Sequence, residues 1–175
     1  ITVVSGEKLD VIKAGGEDIR VLSARLPSLF IESSFGRTFP RFYIRGLGNT
    51  DFDLNASQPV SLVFDDVVQE NALLKGFPMF DIEQVELLRG PQGTLYGHNA
   101  VGGALNLTTK VPTDDVAFST RLVVGNFQTS RAEVSASGPL LRGRIMAGAS
   151  AVRAVSDGSV QDLTHPDRPL GTTDG

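Results

Sequence analysis

The residues whose types could do chemistry do not converge in this sequence. Its only imidazoles, His98 and His165, have no metal-ligand spacing between them, and the absence of cysteine removes thiolate metal sites and disulfide scaffolds outright. Residues 90–103 have the glycine density of a phosphate cradle. They lack the Gly-Lys-Ser/Thr ending that brings a lysine to phosphate and a hydroxyl to magnesium, and no G-x-G-x-x-G follows a strand. The Asp-rich neighbourhood of His165 falls in a loop-like stretch, and no serine sits on the strand-to-helix elbow that a Ser-His-Asp nucleophile needs. No catalytic residue, metal or cofactor is expected, and the chain reads as a protein that is not an enzyme.

The glycine-rich stretch is built for shape instead. In residues 81–110, DIEQVELLRGPQGTLYGHNAVGGALNLTTK, backbone punctuation separates two apolar runs. Val85, Glu86, Leu87 and Leu88 read as a short buried strand. Gly90-Pro91 and Gly93 force tight turns, while Gly97, Gly102 and Gly103 permit positive φ or close backbone approach. Period-two alternation then resumes over residues 104–109 as a second strand.

The elements that must hold this stretch follow from the rest of the chain. Its 175 residues give room for one domain and some extra. A hydrophobic content of 41% with 19 glycines and 9 prolines marks a folded, loop-rich β or α/β protein, not low complexity. The net charge of −4 gives no broad electrostatic reason to bind nucleic acid. No run approaches the roughly 18 apolar residues of a spanning helix, and there is no signal-peptide pattern, so an exported form is read as mature or trimmed.

Ser5, with Glu7 behind it, predicts the N-cap and acidic first turn of a helix that turns Leu9 and Ile12 inward and ends at Gly15-Gly16. Asp18 predicts the start of a second helix, with Ile19, Leu22 and Leu26 on one face and Pro27 as its stop. Strands are expected at residues 1–4, 29–31, 41–46, 60–64 and 67–68. In residues 41–46, Phe42 and Ile44 should face one side, and Tyr43 and Arg45 the other.

From Ala117 onward the composition changes to bare alternation, after a boundary at Pro112 and Asp114-Asp115. Phe118, Thr120, Leu122 and Val124 form one face. Ala132, Val134 and Ala136 repeat the pattern, Gly138-Pro139 turns the chain, and Ile145, Ala147, Ala149 and Ala151 follow. Strands of about 10 residues with this period carry the signature of a transmembrane β-barrel. A soluble antiparallel sheet with one solvated face uses the same alternation.

VELLRGPQGTLYGHNAVGGALNLTTK resembles the signature near the end of the plug domain of TonB-dependent outer-membrane receptors. Two further blocks extend the resemblance. Ile44-Arg45-Gly46 matches the family's IRG element, and Val63-Phe64-Asp65-Asp66-Val67 is similar to its YVDGV strand. Phe64 stands for a common Tyr, and Asp66 stands where Gly is usual, which weakens the tight turn expected there. The resemblance implies an α+β plug domain, a small mixed sheet with two helices, over residues 1–111. The first antiparallel strands of a transmembrane β-barrel and an extracellular loop would follow over residues 117–175, the barrel being incomplete in this chain. It implies a gated outer-membrane import receptor of a Gram-negative bacterium for a scarce ligand, most often a ferric siderophore. The implied partners are that ligand, outer-membrane lipid, and TonB, whose contact segment is expected upstream of Ile1. A soluble periplasmic ligand-binding or secretin-like module is the competing class. It accounts for residues 1–109 and leaves residues 117–154 without a core partner.

Arg45 and Arg89 recur in the family's IRG and LRGP elements. The resemblance implies that they hold plug to barrel by facing carboxylates, with Glu86 the nearest local candidate. Residues 35–40 and 47–57 are polar, Gly- and Asn-bearing connections expected on the ligand side, with Arg37, Phe39, Asn49 and Asp51 as contact candidates. When the chain is pulled from upstream, the strand at residues 1–4 should yield before residues 85–109.

Overall fold

Thr2–Ser5 forms the first strand, β1, with Val4 buried, and Gly6 turns the chain at φ 56° into a helix, α1, Gly6–Lys13. Ser5 holds the expected N-cap position without a side-chain cap bond. Leu9 is buried, and Ile12 packs partly buried against the core, as their spacing predicts. The structure, a computed structural model, describes the chain apart from residues 17, 24, 34–37, 52, 54–55, 77, 98, 127, 142, 157–159, 162–168, 171–172 and 175. Arg37, His98 and His165 lie outside the described residues.

The second helix is shorter than its apolar spacing predicts, a single 3₁₀ turn, Ile19–Leu22. Asp18 caps it by accepting the Arg20 N–H at 2.9 Å, and the Arg20 guanidinium binds the same carboxylate at 2.6 Å. A continuous helix would drive the Pro27 ring into the Ser23 carbonyl four residues back, and Ser23 is instead extended. One further turn, Leu26 N–H to Leu22 carbonyl at 3.1 Å, still brings Ile19, Leu22 and Leu26 into the core.

Three strands, β2 (Leu29–Glu32), β3 (Arg41–Ile44) and β4 (Leu47–Gly48), make an antiparallel sheet that buries Leu29, Ile31, Phe42 and Ile44. The strand expected over residues 41–46 ends at Ile44. Arg45 at φ 54° and Gly46 at φ 80° form a two-residue left-handed hairpin turn, so Arg45 is exposed in the turn and does not share a strand face with Tyr43.

A second hairpin follows, β5 (Val60–Phe64) and β6 (Val67–Gln69), then a 3₁₀ turn, Ala72–Lys75. β7 (Ile82–Arg89), a single helical turn α2 (Gly93–Tyr96) and β8 (Gly103–Thr109) complete a five-stranded mixed sheet in the order β1-β7-β8-β5-β6. Only the β5–β8 pair is parallel. Leu62, Val85, Leu87, Leu105 and Leu107 are fully buried in it, each worth about 1.5–3 kcal/mol relative to exposure. Gly103 is required at its position: at φ 143° an added Cβ would stand 2.3 Å from the Leu88 carbonyl oxygen.

The described chain divides into two compact units, Ile1–Lys110 and Val111–Gly175. In the second, β9 (Ala117–Val124), β10 (Ser130–Leu141) and β11 (Ile145–Ser156) run antiparallel, and β14 (Thr173–Asp174) pairs with the end of β11. Two short strands, β12 (Val160–Gln161) and β13 (Pro169–Leu170), pair with each other. β10 continues through Gly138-Pro139, where the sequence predicts a turn. Its pairing with β9 stops at Ser137, so Pro139 sits where that side of the ladder asks for no N–H. The register puts Phe118, Leu122, Val124, Val134, Ala149 and Ala151 on one face. The other carries the Arg131–Glu133 ion pair at 2.6 Å and the Ser119–Ser135 hydroxyl contact at 2.9 Å.

Candidate functional site

The three-stranded sheet carries a connected polar cluster at the end where residues 33–40 join β2 to β3. The Arg41 guanidinium, itself buried, binds Glu32 at 2.6 Å. The Tyr43 hydroxyl lies 3.0 Å from the Glu32 carboxylate and 2.8 Å from the Asn49 carbonyl. Burial, then the bond to Glu32, raises the Tyr43 phenol above its ordinary value. The Tyr43 ring lies over Gly48 so closely that an added Cβ there would stand 2.1 Å from it, which explains a glycine at that place.

Asn49 is 7% exposed, and its side-chain oxygen accepts the Asp51 N–H at 2.8 Å. The Asp51 carboxylate in turn accepts the Asp53 N–H at 3.0 Å. The loop after β4 is thus shaped by successive side-chain-to-backbone bonds. Of the ligand-contact candidates, Asp51 is exposed and Asn49 is a buried joint beneath it. Phe39, at 2% exposure and φ 63°, is withdrawn from solvent, a large apolar side chain at a loop bend packed inward. Arg37 lies outside the described residues.

Arg45 and Arg89 converge on one turn. The Arg45 N–H donates to the Ser28 carbonyl at 3.0 Å, and Arg89 Nε donates to the Pro27 carbonyl at 3.2 Å. Arg89 also donates from Nη2 to the Thr2 hydroxyl. Glu86 is not its partner in this unit. Residues 86 and 89 point to opposite faces of β7, and Glu86 accepts from Gln84 at 2.9 Å and Asn106 at 3.0 Å.

One group escaped the sequence reading. Lys75, 3% exposed, donates from Nζ to Gln58 Oε1 at 3.2 Å. Burial pushes its ammonium down to about 8, against the opposing pull of Glu70. Its neighbours Leu73 and Leu74 are exposed, and no sequence period marks an inward lysine there. Among the described residues no group of three or more His, Cys, Asp or Glu could hold a metal ion, and no helix is long and apolar enough to cross a membrane.

The family model described as TonB-dependent Receptor Plug Domain matches residues 1–104. The chain belongs to the TonB-dependent receptors. The pesticin receptor of Yersinia pestis is 31% identical over 172 residues, which are 98% of this chain and 25% of that protein. The ferric enterobactin receptor PirA of Pseudomonas aeruginosa is 35% identical over 105 residues, 56% of this chain and 14% of that protein. Among solved structures, the ferric yersiniabactin uptake receptor FyuA from Yersinia pestis superposes with a TM-score of 0.88 at 32% identity, over 99% of this chain and 27% of that one. The chain therefore spans about a quarter of the length of these full-chain matches. The α+β plug fold with further antiparallel strands is that of the N-terminal region of these TonB-dependent receptors, which are proteins of the Gram-negative outer membrane.

Proposed function

We propose that this chain is the plug, residues 1–111, and the start of the barrel, residues 117–175, of a gated receptor that imports a ferric siderophore across the outer membrane with energy delivered through TonB. The observation that carries this reading is the likeness along 99% of the chain to a ferric yersiniabactin uptake receptor. The exposed apolar face of β9–β11 supports a lipid-facing barrel wall, with the polar Arg131–Glu133 face turned inward. In this reading Asp51, above its Asn49 joint, belongs to the ligand side, together with Arg37 and the loop around Phe39. Arg45, exposed at a hairpin tip, meets a carboxylate of the barrel, and Arg89 reaches the same boundary from the Pro27 turn.

Growth on a ferric siderophore as sole iron source tests this. A strain deleted for the complete receptor should fail to grow and recover when the gene is restored, but not in a strain lacking TonB. Equal growth of the deleted and restored strains on every ferric siderophore supplied would contradict the proposal.

A further inference from the structure

The Tyr43 ring is held from both sides of its strand. The register sets it opposite Phe30 on β2 and Gly48 on β4, its centroid 6.0 Å from that of Phe30, and it lies over Gly48 with no room for a Cβ there. A ring so confined keeps one rotamer and one place for its oxygen.

That oxygen offers a single hydrogen to two acceptors. Glu32 Oε1 lies at 3.0 Å and the Asn49 carbonyl at 2.8 Å. The Arg41 guanidinium draws on the same Glu32 oxygen at 2.6 Å through a charge-assisted bond, which weakens the claim of the carboxylate on the phenol and leaves the carbonyl as the shorter partner.

Asn49 follows β4 directly, and its own polar bonds do not account for where it sits. Its Oδ1 accepts the Asp51 N–H at 2.8 Å, while its Nδ2 is buried without a partner among the described residues. An orphaned buried donor opposes this placement, and the Tyr43 bond to the Asn49 carbonyl offsets that loss. Asp51, held by Asn49, is exposed.

We propose that Tyr43 is a positioning residue for ligand binding: its hydroxyl holds the Asn49 carbonyl, Asn49 orients the Asp51 backbone, and Asp51 meets the ligand in a fixed place. This rests on the reading of Asp51 as a ligand-side residue. It adds to that side a half-buried residue that does not itself touch the ligand.

Equilibrium binding of the radiolabelled ferric siderophore on which the restored strain grows, measured on the complete receptor, tests the role. Tyr43→Phe keeps the ring and removes the donor. It should weaken affinity about fivefold, the order of one neutral hydrogen bond, and speed exchange of the Asp51 N–H while exchange in β3 stays unchanged. A merely structural hydroxyl would leave affinity unaltered, since a domain of ordinary stability stays almost wholly folded after losing one such bond. Para-aminophenylalanine in place of Tyr43 restores a donor at the same point and should recover most of the affinity. Asp51→Ala should weaken binding on the ligand-side reading alone. Weakening by Asp51→Ala with none by Tyr43→Phe would overturn the positioning role. So would weakening by Tyr43→Phe that para-aminophenylalanine does not relieve, or that Asp51→Ala does not share. Unchanged affinity in both variants, or growth of the restored strain on no ferric siderophore, would overturn the ligand-side reading and the proposal with it.

Discussion

The Arg89 guanidinium closes on the Thr2 hydroxyl, so the last residue of β7 grips the first residue of β1. The same side chain holds the Pro27 carbonyl at 3.2 Å, and a lysine has no fork to make both bonds at once. Arg89→Lys should destabilise the plug by about 1 kcal/mol and speed hydrogen exchange at residues 2–5 more than at residues 103–109. Exchange unchanged at residues 2–5 would show that the grip adds nothing to the edge strand.

The β5–β6 turn holds two aspartates at positive φ, Asp65 at 46° and Asp66 at 64°. Asp65 offsets its strain by accepting the Thr109 N–H and hydroxyl, both at 2.8 Å, which pins the end of β8 to the turn. Asp66 makes no such bond in its side chain's favour among the described contacts. Asp65→Ala should therefore cost about 2 kcal/mol, while Asp66→Gly should stabilise by about 0.5 kcal/mol through relief of left-handed strain. Calorimetric unfolding of the plug within the complete receptor checks both signs.

The two aspartates also mark where the sequence was readable. Alternation and turn residues placed β5, β6, β7 and β8 within a residue or a few, because burial on both faces leaves few other uses for Val60–Phe64 or Gly103–Thr109. Asp66 in place of Gly reads as a weakened turn, yet the left-handed pair formed, since a short polar side chain tolerates that φ. The second helix is shorter than its apolar spacing predicts because a clash between residues 23 and 27 outweighs that spacing. Sites were less legible. Phe39 and Asn49 fall in polar loops by sequence, and only long-range packing decided that both are buried. The Arg89–Thr2 contact joins residues that no local pattern connects.

Lys75 gives the plug a pH dependence of definite sign. Its folded value of about 8 lies below its ordinary 10.5, so between these pH values the unfolded chain binds more protons and stability rises with pH. Burying the ammonium at pH 7 costs up to about 3 kcal/mol, and Lys75→Met should recover part of this, about 1–2 kcal/mol after loss of the Gln58 bond. The advantage of Lys75→Met should shrink as pH is raised from 8 to 10.5. A constant advantage across that range would remove Lys75 from the explanation.

Phe39 and Asp51 should separate stability from binding. Phe39→Ala, at a buried ring, should destabilise the plug by about 3 kcal/mol. Asp51→Ala, at an exposed position, should leave unfolding nearly unchanged and alter the affinity of the complete receptor for the ferric siderophore proposed as its ligand. Titration of that ligand against Arg37→Ala, Asn49→Ala and Asp51→Ala checks the assignment. Unaltered affinity in all three would place the ligand elsewhere.

We propose that the plug gates import by giving up its first strand while the rest of the sheet holds. β1 pairs with β7 through Thr2 to Ser5, whereas β7 and β8 lie inside the sheet. Ser5 and Gln84 face each other across this pair, so Ser5→Cys with Gln84→Cys offers a lock. The decisive measurement is uptake of radiolabelled ferric siderophore by cells carrying the locked complete receptor, before and after reduction. Import should be slowed while the disulfide is intact, with ligand affinity unchanged, and should recover on reduction. Import at the normal rate through the locked receptor would contradict the account.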